Sequence, residues 1–148
     1  ESSLVTIAGG AGNDYISSVG DGVIISGGSG NDEIDSEGAG AKISGGAGDD
    51  TLWGNASNDT LTGGAGDDLF IIRPGESKTY ITDFASNDLL QILDEYYNES
   101  TFTNSSFKNS NLTLAIEGGG HIVFSGVSAD TSFNINGATY SISGKKLK

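Results

Sequence analysis

Gly9-Gly10-Ala11-Gly12-Asn13-Asp14, Gly27-Gly28-Ser29-Gly30-Asn31-Asp32, Gly45-Gly46-Ala47-Gly48-Asp49-Asp50 and Gly63-Gly64-Ala65-Gly66-Asp67-Asp68 are one hexapeptide written four times, 18 residues apart. Inside that period runs a shorter one. A large apolar residue recurs every nine positions through Ile7, Ile16, Ile25, Ile34, Ile43, Leu52, Leu61 and Phe70. A fixed short period of this kind is the mark of a stacked repeat architecture. Each unit reads as six turn residues followed by three extended ones. Glycine supplies the tight turn, and one apolar residue flanked by polar ones suits a very short strand. Two units make a coil, so strands 18 residues apart become parallel neighbours on one wall, and the two walls face each other across a thin core. Tyr15, Glu33, Lys42, Trp53 and Thr62 then point outward. One coil cannot bury its apolar face, whereas a stack can.

The same register puts the four glycine-rich loops above one another on one edge, with Asp14, Asp32, Asp50 and Asp68 as a ladder of carboxylates. Neighbouring strands lie about 4.8 Å apart. At that distance two unit charges repel by a few kcal/mol at an effective dielectric near 20. A ladder of bare carboxylates is therefore unfavourable, and a cation is missing. A hard divalent ion taking 6 to 8 oxygens fits inward-facing carbonyls and carboxylates in flexible turns, and calcium suits them better than strictly octahedral magnesium. Four stacked loops enclose three gaps, which predicts about three Ca2+ ions held by the glycine-rich loops and the four Asp.

The unit G-G-x-G-x-D-x-U-x, complete at residues 9–17, 27–35, 45–53 and 63–71, resembles the RTX (haemolysin-type) calcium-binding nonapeptide repeat. The resemblance implies an all-β fold built as a right-handed parallel β-roll, a β-solenoid with 18 residues per coil. It also implies calcium between neighbouring turns and export by a bacterial type I secretion system. It extends to about residue 92, because Tyr80–Phe84 and Asn87–Ile92 look like the segment that closes such rolls, which brings in Asp83 and Asp88 as secondary metal candidates. The second edge departs from the family pattern. Val5, Val23 and Ala41 stand where Asp is expected and only Asp59 keeps it. That edge is expected to be packed rather than metal-bound, with Asp59 a further secondary candidate.

Composition narrows the function. Twenty acidic residues against seven basic ones give a net charge of −13, which repels nucleic acid and anionic membrane surfaces. Residues 1–71 hold 12 of the acids and only Lys42 as a base, net −11; residues 72–148 hold 8 acids and 6 bases, net −2. The absence of cysteine excludes disulfides, thiolate nucleophiles and zinc–thiolate sites. His121 is the sole histidine and Arg73 the sole arginine, so the familiar catalytic constellations lack parts and the expectation is a non-catalytic module. His121 reads as an ordinary packed or surface residue. No apolar run is long enough for a membrane span, and the chain reads as a piece of a longer polypeptide with an upstream domain.

Two units are expected: the roll at 1–71 and a β-rich cap at 72–148 that also carries a region for an export signal. In the cap, Leu112–Ile116 and His121–Phe124 flank Glu117–Gly120, and Phe133–Ile135 and Thr139–Ile142 flank Asn136-Gly137, two hairpin signals that predict an antiparallel β cap. A short helical turn is the alternative for 86–97 or 100–107. The basic ending Lys145–Lys148 departs from the acidic-then-apolar endings of exported relatives. The overall expectation is a secreted, extracellular bacterial module that folds on meeting calcium and supports type I secretion of a larger protein. The alternative is a carbohydrate-binding or adhesin module, in which Trp53 would stack on a sugar ring.

Overall fold

The computed structural model describes residues 4–73, 78–94, 96, 99–143 and 146–148. Strands β1 (Thr6–Ala11) and β2 (Tyr15–Ser18) form the first coil, β3 (Ile24–Ser29) and β4 (Glu33–Ser36) the second, and β5 (Lys42–Ala47) and β6 (Thr51–Gly54) the third. Strands β7 (Thr60–Ala65) and β8 (Leu69–Ile72) make the fourth coil, and β9 (Lys78–Ile81) and β10 (Leu89–Ile92) the fifth. Odd strands stack in parallel on one wall and even strands on the other, as the period predicts. Ile7 sits opposite Ile25, Ile25 opposite Ile43 and Ile43 opposite Leu61; Ile16, Ile34, Leu52 and Phe70 do the same across the core. These side chains are buried throughout except Ile7, which is partly covered because among the described residues no strand stacks beyond β1.

At the fifth coil the register slips. Leu61 pairs with Ile81 and Phe70 with Leu90, an offset of 20 where the earlier coils keep 18. Phe70 to Ile81 spans 11 positions where the repeat has nine, so the two extra residues fall in the β8–β9 connection. Burying Ile81 and Leu90 restores the walls beyond it, since a one-residue slip would turn an apolar side chain to solvent.

The cap grows out of the same two sheets. Strands β11 (Phe102–Lys108), β12 (Asn111–Ile116) and β13 (His121–Ser125) form an antiparallel meander. Strands β14 (Ser132–Ile135), β15 (Ala138–Ser143) and β16 (Lys146–Leu147) form a second one. Both expected hairpins are present, and the Asn136-Gly137 turn has both residues at positive φ, 48° and 75°, as a two-residue hairpin of the primed type requires. Each meander joins the roll through a parallel pair, β13 on β9 and β14 on β10, so the walls run on into the cap as two eight-stranded sheets. The poor helix signals agree with the structure: no helix occurs among the described residues, 86–87 is a turn closed by Asp88 N donating to Ala85 O, 89–92 is strand β10 and 102–108 is strand β11. Pairing with β8 and β12 decides these segments, because the value of an edge-to-edge ladder overrides weak local preference. Tyr97, at the end of the first helical candidate, lies outside the described residues.

Phe84 joins roll to cap. Its ring lies 5.8 Å from Phe70 of the roll, is stacked on Phe133 at 5.3 Å and meets Phe124 edge-on at 5.1 Å. Phe70, Phe124 and Phe133 are fully buried. Truncating the shared member removes contacts from both halves, so Phe84→Ala should cost about 3–5 kcal/mol. The check is chemical denaturation in saturating calcium, in which a loss below about 1 kcal/mol would show that Phe84 is not the junction.

Candidate metal centre

The first glycine-rich edge is held by two hydrogen-bond ladders of opposite sense. In the ladder of sixth-position aspartates, each carboxylate reaches back one coil. Asp32 Oδ1 accepts from the Asp14 amide (2.8 Å), Asp50 Oδ1 from Asp32 (2.7 Å) and Asp68 Oδ1 from Asp50 (3.0 Å). In the fifth-position ladder each side chain reaches forward. Asn13 Oδ1 accepts from the Asn31 amide (2.9 Å), Asn31 Oδ1 from Asp49 (3.0 Å) and Asp49 Oδ1 from Asp67 (2.9 Å). Sequence reasoning placed the first ladder and missed the second. Its signal was the run of Asn, Asn, Asp and Asp at position five, since a short Asx side chain readily bonds a neighbouring amide from a turn.

The second carboxylate oxygen of the sixth-position aspartates is what sets this edge apart. Asp14 Oδ2, Asp32 Oδ2 and Asp50 Oδ2 are all buried without a hydrogen-bond partner. Each faces a carbonyl of the following coil. A methyl placed on Gly9 would lie 2.5 Å from Asp14 Oδ2 and 2.7 Å from Gly27 O; one on Gly27 would strike Asp32 Oδ2 and Gly45 O, and one on Gly45 would strike Asp50 Oδ2 and Gly63 O. Gly27 has no positive φ in need of glycine. Its missing side chain is required because the space belongs to converging oxygens. Gly28 is different: at φ 122° its backbone is one that L side chains rarely adopt, and Gly10 O occupies the place of its Cβ. Acceptors without donors, gathered around a cradle that a methyl would fill, fit a hard cation. Among the described residues no three acidic or histidine side chains converge on one point, so an ion held here would take most of its oxygens from loop carbonyls.

The sequence-derived candidates divide by their hydrogen bonding. Asp68 continues the ladder, but the atoms nearest the Gly63 cradle all belong to Asp68 itself, with no fifth glycine loop above. Asp83 takes that place: its two oxygens accept from the Gly63 and Gly64 amides at 2.9 Å, where β9 has stopped pairing with β7. Asp88 is a fifth rung, accepting from Asp68 N (3.1 Å) and Ala85 N (2.7 Å). Asp59, on the other edge, accepts from Ala41 N (3.0 Å) and Ala56 N (3.2 Å). All three secondary candidates thus have both oxygens on backbone amides. On that other edge Val23 and Ala41 are buried in the core, whereas Val5, at the open end, is exposed. Trp53 lies on the outer face of the second wall beside Asp35 and Ile71.

Burial pushes Asp68 up to about 6, with the charges of Asp88, Asp50 and Asp83 adding to it despite the bond from Asp50 N. Burial likewise raises Asp50 and Asp88, and lifts Asp59 to about 6. Without a cation, then, the fold holds these protons more tightly than the unfolded chain does, whose carboxyls titrate at 3.8. Their contribution is present below about pH 4 and is lost as pH rises through about 6. The chelated protein should therefore gain β structure on going from about pH 7.5 to about pH 4.5, while the calcium-loaded protein should lose stability over the same interval. Circular dichroism melts at the two values, with and without chelator, check the crossing.

A family model for the RTX calcium-binding nonapeptide repeat, in four copies, matches residues 5–18, 9–40 and 38–70. No curated protein matches the chain.

Proposed function

We propose, from the premise that residues 5–70 are RTX calcium-binding nonapeptide repeats, that this chain is a non-catalytic module whose roll folds on meeting extracellular calcium and so supports export and stability of a larger secreted protein. The observation that carries the proposal is the set of three partnerless carboxylate oxygens, each turned to a carbonyl of the next coil. They favour three Ca2+ ions on the first edge, one per gap, and none on the packed edge. A bound ion supplies positive charge among converging oxygens. Asp14, Asp32, Asp50 and the carbonyls of Gly27, Gly45 and Gly63 would hold it, and the backbone bonds to Oδ1 would keep each carboxylate aimed.

The energetics favour coupling to folding. Residues 1–71 carry a net charge of −11 around one large apolar residue in every nine, too little burial to offset both chain entropy and repulsion. A site with Kd of about 0.1 mM adds about 1.4 kcal/mol in about 1 mM calcium, and three such sites about 4 kcal/mol. Chelation should collapse the β spectrum at neutral pH, and calcium should restore it. Asp32→Ala and Asp50→Ala, which remove a facing oxygen and a ladder bond together, should weaken calcium binding more than Asp14→Ala; Gly27→Ala should do so by filling its cradle, and Asp21→Ala should leave binding unchanged. An unaltered spectrum in chelator, or equal losses at every position, refutes the reading.

Export follows from the concentration difference. Affinities at the weak, extracellular end of the calcium range leave the chain unfolded where calcium is scarce and folded where it is abundant. An unfolded chain can thread a type I exporter and is trapped once folded outside. Reporters fused to the roll alone, to residues 72–148 alone and to both, in a host with a matching exporter, should be secreted only where 72–148 is present. Secretion independent of that segment would remove the export role.

A further inference from the structure

The outer faces of the two walls are built differently. On the first wall, over the first four coils, one outward column reads Ala8, Ser26, Ser44 and Thr62, all small, and the other reads Thr6, Ile24, Lys42 and Thr60, with no aromatic side chain in either. On the second, the equivalent column reads Ser17, Asp35, Trp53 and Ile71, and the column beside it begins Tyr15, Glu33. Ile71 is 5% exposed although it alternates away from the core between Phe70 and Ile72. Tyr15 leaves 68% of its surface to solvent. Between the two aromatics lies an open groove of about 190 Å³. Aromatic side chains beside hydrogen-bonding groups, on a face that stacking does not require, can hold a ligand that has both apolar and polar surfaces.

The polar groups of the groove are held in place across three strands. Arg73 Nε donates to Asn55 Oδ1 at 2.8 Å, and Asn55 Nδ2 donates to Asp35 Oδ1 at 2.5 Å. Glu33 and Glu37 complete the lining. Tyr15 and Trp53 sit two strands and two residues apart in register, about 10 Å across the strands and about 7 Å along them, a diagonal of about 12 Å. That span exceeds one pyranose ring. We propose that this groove, from Tyr15 to Trp53, binds a neutral oligosaccharide. Sugar rings offer apolar faces to Tyr15 and Trp53 and hydroxyl donors to Glu33, Asp35 and Glu37. Three carboxylates against one arginine, on a chain of net charge −13, repel uronates, sulfated glycans and phosphates. Asp35 is already engaged through Asn55 with Arg73, so the groove is less suited to a basic peptide than its acid count implies.

Trp53 is the only tryptophan, so its emission reports on the groove directly. Titration of the calcium-loaded chain with soluble glucose-, mannose-, galactose- and N-acetylglucosamine-based oligosaccharides should give a saturable change with at least one of them. Tyr15→Ala, on an exposed position, should weaken that response by about tenfold while circular dichroism stays unchanged. Asn55→Ala should weaken it too, by releasing Asp35 and Arg73. No saturable response to any neutral probe, a response only to a polyuronate or to polylysine, or a Tyr15→Ala variant that responds as strongly as the parent would overturn the proposal. The calcium reading stands or falls separately, on the chelator experiment.

Discussion

A buried carboxylate with one oxygen satisfied and the other facing a carbonyl is the constraint on which the roll depends. The Oδ1 bonds to the preceding coil fix the stacking distance and the aim of each Asp. That aim brings Oδ2 against the first glycine of its own loop and the carbonyl of the next coil. Two electron-rich groups buried together are unfavourable until a positive charge joins them. Glycine at the loop start follows from that arrangement, because a larger residue there would close the cradle.

The opposite edge solves the same turn by packing and by carboxylates whose oxygens are taken up by backbone amides. Val23 and Ala41 fill it from inside, and Asp59 spends its oxygens on the amides of Ala41 and Ala56, with the Gly40 amide also contributing. Among the described residues, one edge therefore keeps buried carboxylate oxygens without partners and the other does not. The far end has a third solution. Asp83 and Asp88 replace a fifth glycine loop with side-chain acceptors, Asn87 donates to Gly66 O and Asp67 Oδ1, and the Phe70, Phe84, Phe124 and Phe133 cluster buries surface on a scale the roll does not reach in any single coil. Leu147 closes the cap, buried, with its amide on Ser105 Oγ.

The amino-acid sequence by itself determined the coil, the two walls, the inward apolar rows and the aspartate ladder, because each of these is a strict period and a stacked repeat converts period directly into position. It also marked both cap hairpins, whose turn chemistry is local. Tertiary structure alone decided the rest. Asp88 is the fifth rung although it lies 20 residues from Asp68, since burial of Ile81 and Leu90 absorbs a two-residue insertion that hides the rung from any fixed count. The parallel seating of β13 and β14 and the strand identity of 102–108 each join residues that no repeat places together. Such contacts are non-local: what sets them is which edge remains unpaired and which apolar face remains uncovered once the coils have stacked, and neither quantity exists until the chain is folded.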